Sequence, residues 1–325
     1  MINDESTRLP TYQELLQTGR PAGSNWGVFG ADDQLGCLNH ISPAQVAKAA
    51  SLVRKGLVFS LNLPLEQPDP PLYGRGLPEH HLLTARAPIV RDDYVNNLWP
   101  QTSSQWDGLR HIRHPQDGFY NGAPDETIIS GEGGKLGIEQ AARRGIVARA
   151  VLLDVERHLS GEGQPFDQTT SFVITPELLA ECAEREAVAI EPGDVLLIHT
   201  GWLHWWQQDA TAEYKTSVSG KATAANLKAP GLGPAEAMTE FLWDHRIAAV
   251  ASDNPALEAW PPGPGTGFLH PKLLAHLGMM IGELWQLDAL AADCAADGVC
   301  EFMLTSAPWN LAGGVGSPAN AIAIK

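Results

Sequence analysis

From about residue 138 onward, apolar runs of strand length alternate with amphipathic stretches of helix length. "IEQAARRG" predicts a short helix and "IVARAVLLDV" a buried strand. "TPELLAECAEREA" predicts a helix capped by Thr175 with Pro176 at its first position, where the missing N–H costs nothing. "DVLLIHTGW" is a second buried strand, and "PAEAMTEFLWDHR", "IAAVASD" and "PKLLAHLGMM" continue as helix, strand and helix. "CEFMLTSAPWNL" and "NAIAIK" read as closing strands. Strands that are apolar throughout, with helices between them, imply an α/β sheet covered on at least one face.

The first 130 residues follow a different rhythm. "TYQELLQTG" and "SPAQVAKAASLVRKG" are amphipathic, the second opened by Ser-Pro and stopped by Gly56, so residues 1–56 are expected to form a helical N-terminal extension. "LVFSLNLPL" predicts the first strand. Residues 64–130 hold much Pro, Trp and His with little periodicity, which predicts a long structured loop region of the kind that carries function. With no internal repeat and no linker, residues 1–325 are expected to form one domain.

Composition narrows the function classes. The 325 residues are 44% hydrophobic, enough for a large core, and 22 Lys and Arg against 38 Asp and Glu give a net charge of −16. A phosphate backbone would be repelled, so nucleic acid is not an expected partner. The opening "MINDESTR" lacks the basic-then-apolar form of a secretory signal, and no run approaches the ~18 apolar residues of a membrane helix. Cys37, Cys182, Cys294 and Cys300 form no Cys-x-x-Cys pair. A soluble, cytoplasmic protein with reduced thiols is the expectation. Three glycine-rich strings, "GPGTGFLH", "GEGGKLG" and "GVGSPAN", lack the spacing or flanking residues of dinucleotide, phosphate-loop and nucleophile-elbow motifs and read as turns.

The string with chemical content is "QTSSQWDGLRH", Gln101 to His111, together with His270 and Glu283 in "FLHPKLLAHLGMMIGE". Taken singly, an Asp before Gly caps a turn, a buried His bonds a carbonyl and a Glu after Gly faces water. His80 and His81 lie in the loop region, while His158, His199 and Asp253 follow apolar strands, whose ends commonly border ligand sites. Trp106, beside Asp107, and then Trp202 are the aromatics expected against a substrate ring.

Through "QTSSQWDGLRH", "FYNG", "RGIVARAVLLDVERH", "IEPGDVLLIHTGW" and "GGVGSPANAIAI", the chain resembles the longer branch of the cyclase family of bacterial kynurenine formamidases and isatin hydrolase. The resemblance runs from "WGVFGADDQLGCLNH" to the end of the chain. It implies the swivelling β/β/α fold, a mixed sheet flanked by helices, a homodimer or homotetramer, and metal-dependent opening of amide or lactam bonds. The family signature His-x3-His-x-Asp-x3-His falls on Gln101, Gln105, Asp107 and His111, so both leading histidines are replaced. By this resemblance Asp107, His270 and Glu283 are metal ligands and His111 is the acid and base. Asp107 and Glu283 then belong to the catalytic set as well, and Gln101 sits beside the substrate.

A Gln amide offers only a neutral carbonyl oxygen where His offers a nitrogen lone pair, so a two-zinc centre is not expected. One divalent ion, Mn2+ or Zn2+, is expected on Asp107, His270 and Glu283 with Gln105 as a weak fourth ligand, activating a water against an amide, lactam or lactone in a small cyclic or aromatic substrate. Two alternatives stand beside this. One is a metal-independent lyase, isomerase or cyclase run by His111 and the carboxylates, and the other is a non-catalytic small-molecule binding protein of the same fold.

Overall fold

The computed structural model describes residues 8–84 and 89–325, so the opening seven residues of the expected N-terminal extension and residues 85–88 of the loop region lie outside it. Along the described chain the strands are β1 (Val58–Ser60), β2 (Glu79–Leu83), β3 (Asp92–Asn96), β4 (Gln105–Asp107), β5 (Ile146–Asp154), β6 (Val173–Ile174), β7 (Val195–His199), β8 (Gly231–Leu232), β9 (Ala249–Ser252), β10 (Met280–Glu283), β11 (Glu301–Ser306), β12 (Gly316–Pro318) and β13 (Ala321–Ile324). Nine of them build one mixed sheet in the order β1-β13-β11-β5-β7-β9-β10-β4-β12. The central strands β5, β7, β9 and β10 are mutually parallel. Their flanks, β1, β13 and β11 on one side and β4 and β12 on the other, pair antiparallel.

The apolar runs become the parallel strands because both of their faces are covered. Every residue of β7, β9 and β10 is buried, and the helices Pro43–Ala50 and Pro176–Arg185 pack on β5. Thr175 and Pro176 start the latter helix as predicted, the threonine hydroxyl accepting from the Leu178 amide at 3.3 Å. The helix opened by Ser42-Pro43 stops at Ala50, earlier than Gly56. The amides of Lys55 and Leu57 bond the Lys325 carbonyl, which draws this segment toward the sheet edge before another turn can form. Among the described residues no helix is long and apolar enough to cross a membrane.

The loop region contains more order than its lack of periodicity suggests. β2 and β3 form an exposed hairpin, and the three buried residues of β4 lie between β10 and β12. A three-residue strand with polar side chains on one face leaves no apolar alternation to detect. "PKLLAHLGMM" divides into a π-helix, Pro271–Leu277, ended by Gly278 in the left-handed conformation, and then β10.

Side chains alternate across a strand, so Gln105 and Asp107 share one face of β4 and Trp106 takes the other. Trp106 has no exposed surface, donates its indole N–H to Ser306 Oγ at 2.9 Å and meets the Trp285 ring edge-on at 4.8 Å. Trp202 is equally buried and stacks on Trp206 within a smaller apolar cluster. Both are core residues, which corrects the expectation that they face a substrate ring. Trp106→Ala is therefore expected to cost about 3–5 kcal/mol in urea unfolding; a substrate-wall tryptophan would leave the midpoint nearly unchanged.

Candidate active site

Strand register assembles the first part of the site. β4 runs against β10 with Gln105 opposite Glu283 and Asp107 opposite Ile281, and the chain then turns back so that the His111 amide bonds the Gly108 carbonyl at 2.9 Å. His270 precedes the first turn of the π-helix, and Glu258 lies in the irregular segment after β9. These segments meet at one point. His270 Nε2 lies 3.2 Å from Glu283 Oε1 and 3.7 Å from Asp107 Oδ2, while His111 Nε2 is 3.6 Å from the same Asp107 oxygen. Glu258 Oε2 holds His270 Nδ1 at 2.7 Å, which fixes the ring and leaves Nε2 facing the two other carboxylates.

The two glutamines of the signature are both engaged with this cluster. Gln105 donates its amide to Glu283 Oε2, and its carbonyl oxygen is buried without a partner. Gln101 places its amide nitrogen 3.3 Å from His111 Nδ1 and receives Arg75 on its backbone carbonyl.

The electrostatics follow from packing three carboxylates out of water. Burial works to raise Asp107, but His111 and His270 outweigh it and hold the carboxyl below its ordinary range. Burial, aided by the Asp107 charge, pushes Glu283 up to about 6. Burial alone would depress His270, yet Glu258, Asp107 and Glu283 together carry it well above the ordinary histidine value. His111 is half-buried, and desolvation prevails over the pull of Asp107 to lower its pKa.

Asp107, His270 and Glu283 offer one ligand atom each within 4.8 Å of one another. Both Asp107 oxygens are buried and accept no hydrogen bond. Two carboxylates and one imidazole, the imidazole oriented by a further carboxylate, make a donor set that fits one divalent cation. The proton on His270 and such a cation are alternative occupants of the space between Asp107 and Glu283. Beside the cluster lies a cavity of about 160 Å³ walled by Tyr73, Ile112, Trp260 and Phe268, with Arg75, His111, His270 and Glu283 also on its lining. The Arg75 guanidinium stands 5.2 Å over the Tyr73 ring.

Four residues expected from the sequence, Asp107, His111, His270 and Glu283, are thus brought together with Gln101 and Gln105. Others lie elsewhere. His80 pairs with Asp93 at 2.8 Å and His81 stacks on Tyr94, both on the exposed hairpin. His158 lies in the helix Val155–Gly161. His199 is at a strand end as expected, but it is held between Asp154 (2.8 Å) and Asp288 (3.3 Å) in a different cavity. Asp253 accepts from the amide and hydroxyl of Thr200, each at 2.7 Å. Glu258, Tyr73, Arg75, Trp260 and Phe268 are the site residues that the sequence reading missed.

The site is thus an imidazole–carboxylate cluster, fitted to a cation, at one side of a mixed α/β sheet. The chain belongs to the cyclase family: the family model described as "Putative cyclase" matches residues 37–259. A crystal structure of a novel cyclase is 34% identical, covers 93% of this chain and 99% of its own, and superposes with a TM-score of 0.82. Isatin hydrolase A from Ralstonia solanacearum (17% identity, 87% of this chain and 97% of that one, TM-score 0.58) shares the fold. So does isatin hydrolase A from Labrenzia aggregata bound to benzyl benzoate (17%, 86% and 97%, TM-score 0.54). No curated protein matches the chain.

Because Glu258 fixes the His270 ring, Glu258→Gln is expected to weaken divalent-ion binding at this cluster by about 10- to 100-fold, read by equilibrium dialysis of chelator-stripped protein. Unchanged affinity would show that the Glu258–His270 contact does not orient a ligand.

Proposed function

We propose that this chain is a hydrolase that opens an amide, lactam or lactone bond in a small cyclic or aromatic compound, with one divalent ion, Mn2+ or Zn2+, held by Asp107, His270 and Glu283. The observation that carries the reading is the buried Asp107 carboxylate, whose two oxygens accept no hydrogen bond while His270 and Glu283 face it. An ion bound there supplies Lewis acidity toward the scissile carbonyl and toward water.

The remaining work falls to the chain's own side chains. His111 stands at the junction of the cluster and the cavity, where its Nε2 takes a proton from the attacking water and passes it to the departing nitrogen or oxygen. Gln101 at Nδ1 keeps the ring in place, and a side-chain amide can present either its nitrogen or its oxygen, which suits both tautomers of the histidine. Gln105 orients Glu283 through its amide. Tyr73, Ile112, Trp260 and Phe268 give an apolar wall for a ring and exclude water from it. Hydrolysis of such a bond leaves a carboxylate, and Arg75 on the same lining offers the matching positive charge.

The test is a panel of cyclic imides, lactams, lactones and N-formyl arylamines. Metal-loaded protein is expected to turn over at least one class, and chelator treatment is expected to abolish that turnover until the ion is restored. His111→Ala is expected to lower the rate by about 10²- to 10⁴-fold with metal content unchanged, and Asp107→Asn to lose the ion as well. Turnover that survives complete chelation would replace this reading with metal-independent chemistry on the same residues.

A further inference from the structure

The two segments that supply His111 and His270 meet a second time. His111 and His270 have ring centroids 6.4 Å apart, and farther along the same segments His114 and His276 approach to 4.2 Å. Asp117 completes this second meeting point. Its Oδ2 lies 2.7 Å from His114 Nδ1 and 2.9 Å from His276 Nε2, and one ligand atom from each of the three residues lies within 4.8 Å of the others.

The cluster is held rigidly from both sides. A closed antiparallel bridge between His114 and Gly118 (2.9 and 3.1 Å) fixes the five-residue turn that presents His114 and Asp117 together. His276 is buried in the π-helix Pro271–Leu277, so its ring cannot swing away into solvent. His114 and Asp117 are half-buried, with side-chain exposures of 21% and 27%, so an ion can reach them from outside. The Asp117 amide also points at His114 Nδ1, at 3.3 Å.

We propose that His114, Asp117 and His276 form a second metal site, distinct from the Asp107–His270–Glu283 cluster, that takes one zinc-class divalent ion with water completing its coordination. Two imidazole nitrogens and a single carboxylate favour Zn2+ over Mg2+ or Ca2+, which prefer all-oxygen sites. Zinc bonds of about 2.0–2.2 Å in tetrahedral geometry set ligand atoms roughly 3.3–3.6 Å apart. The present contacts therefore need to open by less than about 1 Å. An ion here ties the turn that follows His111 to the helix that follows His270, so its structural effect is a clamp on the two imidazoles of the candidate active site.

The experiment uses the full chain without a histidine tag, stripped with chelator and dialysed against Zn2+, with Co2+ as a spectroscopic probe. His114→Gln and Asp117→Asn are each expected to bind one equivalent fewer than the wild type, to lose the visible absorption of one tetrahedral Co2+, and to show a smaller Zn2+-dependent rise in melting temperature. Asp107→Asn is expected to retain the equivalent that those variants lose. Far-ultraviolet circular dichroism confirms that each variant is folded, and the half-exposed position of His114 makes His114→Gln the milder change. Equal zinc content in wild type, His114→Gln and Asp117→Asn overturns the proposal, as does a folded Asp107→Asn protein that binds none. A loss confined to Asp107→Asn supports the active-site ion alone, so the failure of this second site is distinguishable from failure of the hydrolase reading.

Discussion

Three carboxylates, Asp107, Glu258 and Glu283, are packed out of water around one imidazole, and nearly everything else about the site answers to that fact. Buried ionised carboxylates are expensive unless each is paired or bound to a cation. The chain supplies His270 at the centre and Arg75 at the cavity wall, yet Asp107 still accepts no hydrogen bond. A site left in this condition is poised for one more positive charge. Its geometry is set by backbone pairing and not by flexible loops alone: β10 lies between β9 and β4, so Glu283 and Asp107 stand on adjacent strands and can move apart only if the sheet breaks.

How much of this was readable in the sequence depends on whether a residue's role is local. The parallel strands were legible because they are buried on both faces and their composition says so over five to nine residues in β5 and β7. The cap and first turn of Pro176–Arg185 were legible because Thr-Pro acts on its own neighbours. Asp107, His111, His270 and Glu283 could be named because a family pattern had already joined distant positions. Glu258 had no such signal: it lies in an irregular stretch after β9, and only its contact with His270, twelve residues on, gives it a function. Tyr73 and Arg75 sit in the loop region for the same reason. Trp106 is different, since the information was present and was misread. Once Gln105 and Asp107 are taken as partners two residues apart on a strand, the residue between them must face away, and it does.

The strand-end rule was informative about place and not about role. His199 does end a strand of the parallel set, but Asp154 and Asp288 occupy its two ring nitrogens, which leaves neither free to move a proton. His111, by contrast, follows a short antiparallel strand and has only Gln101 on Nδ1. Proton transfer needs a nitrogen with an unclaimed lone pair or N–H facing a cavity, and that condition separates the two histidines more sharply than their position in the fold.

The replacement of both leading histidines can then be understood as a change in what holds the cluster together. An imidazole at position 101 or 105 would offer a nitrogen lone pair to a metal. The amides found there have different tasks: Gln105 meets the Glu283 carboxylate with an N–H, and Gln101 meets His111. A carboxylate that accepts from Gln105 through Oε2 presents its other oxygen to His270. This occupies Glu283 Oε2 and orients the carboxylate toward the centre of the cluster. The two amides therefore agree with the one-ion reading proposed above and leave the cluster assembled. Glu283 and His111 are ordered by neutral amides, which hold their positions without adding a charge to a pocket already crowded with them.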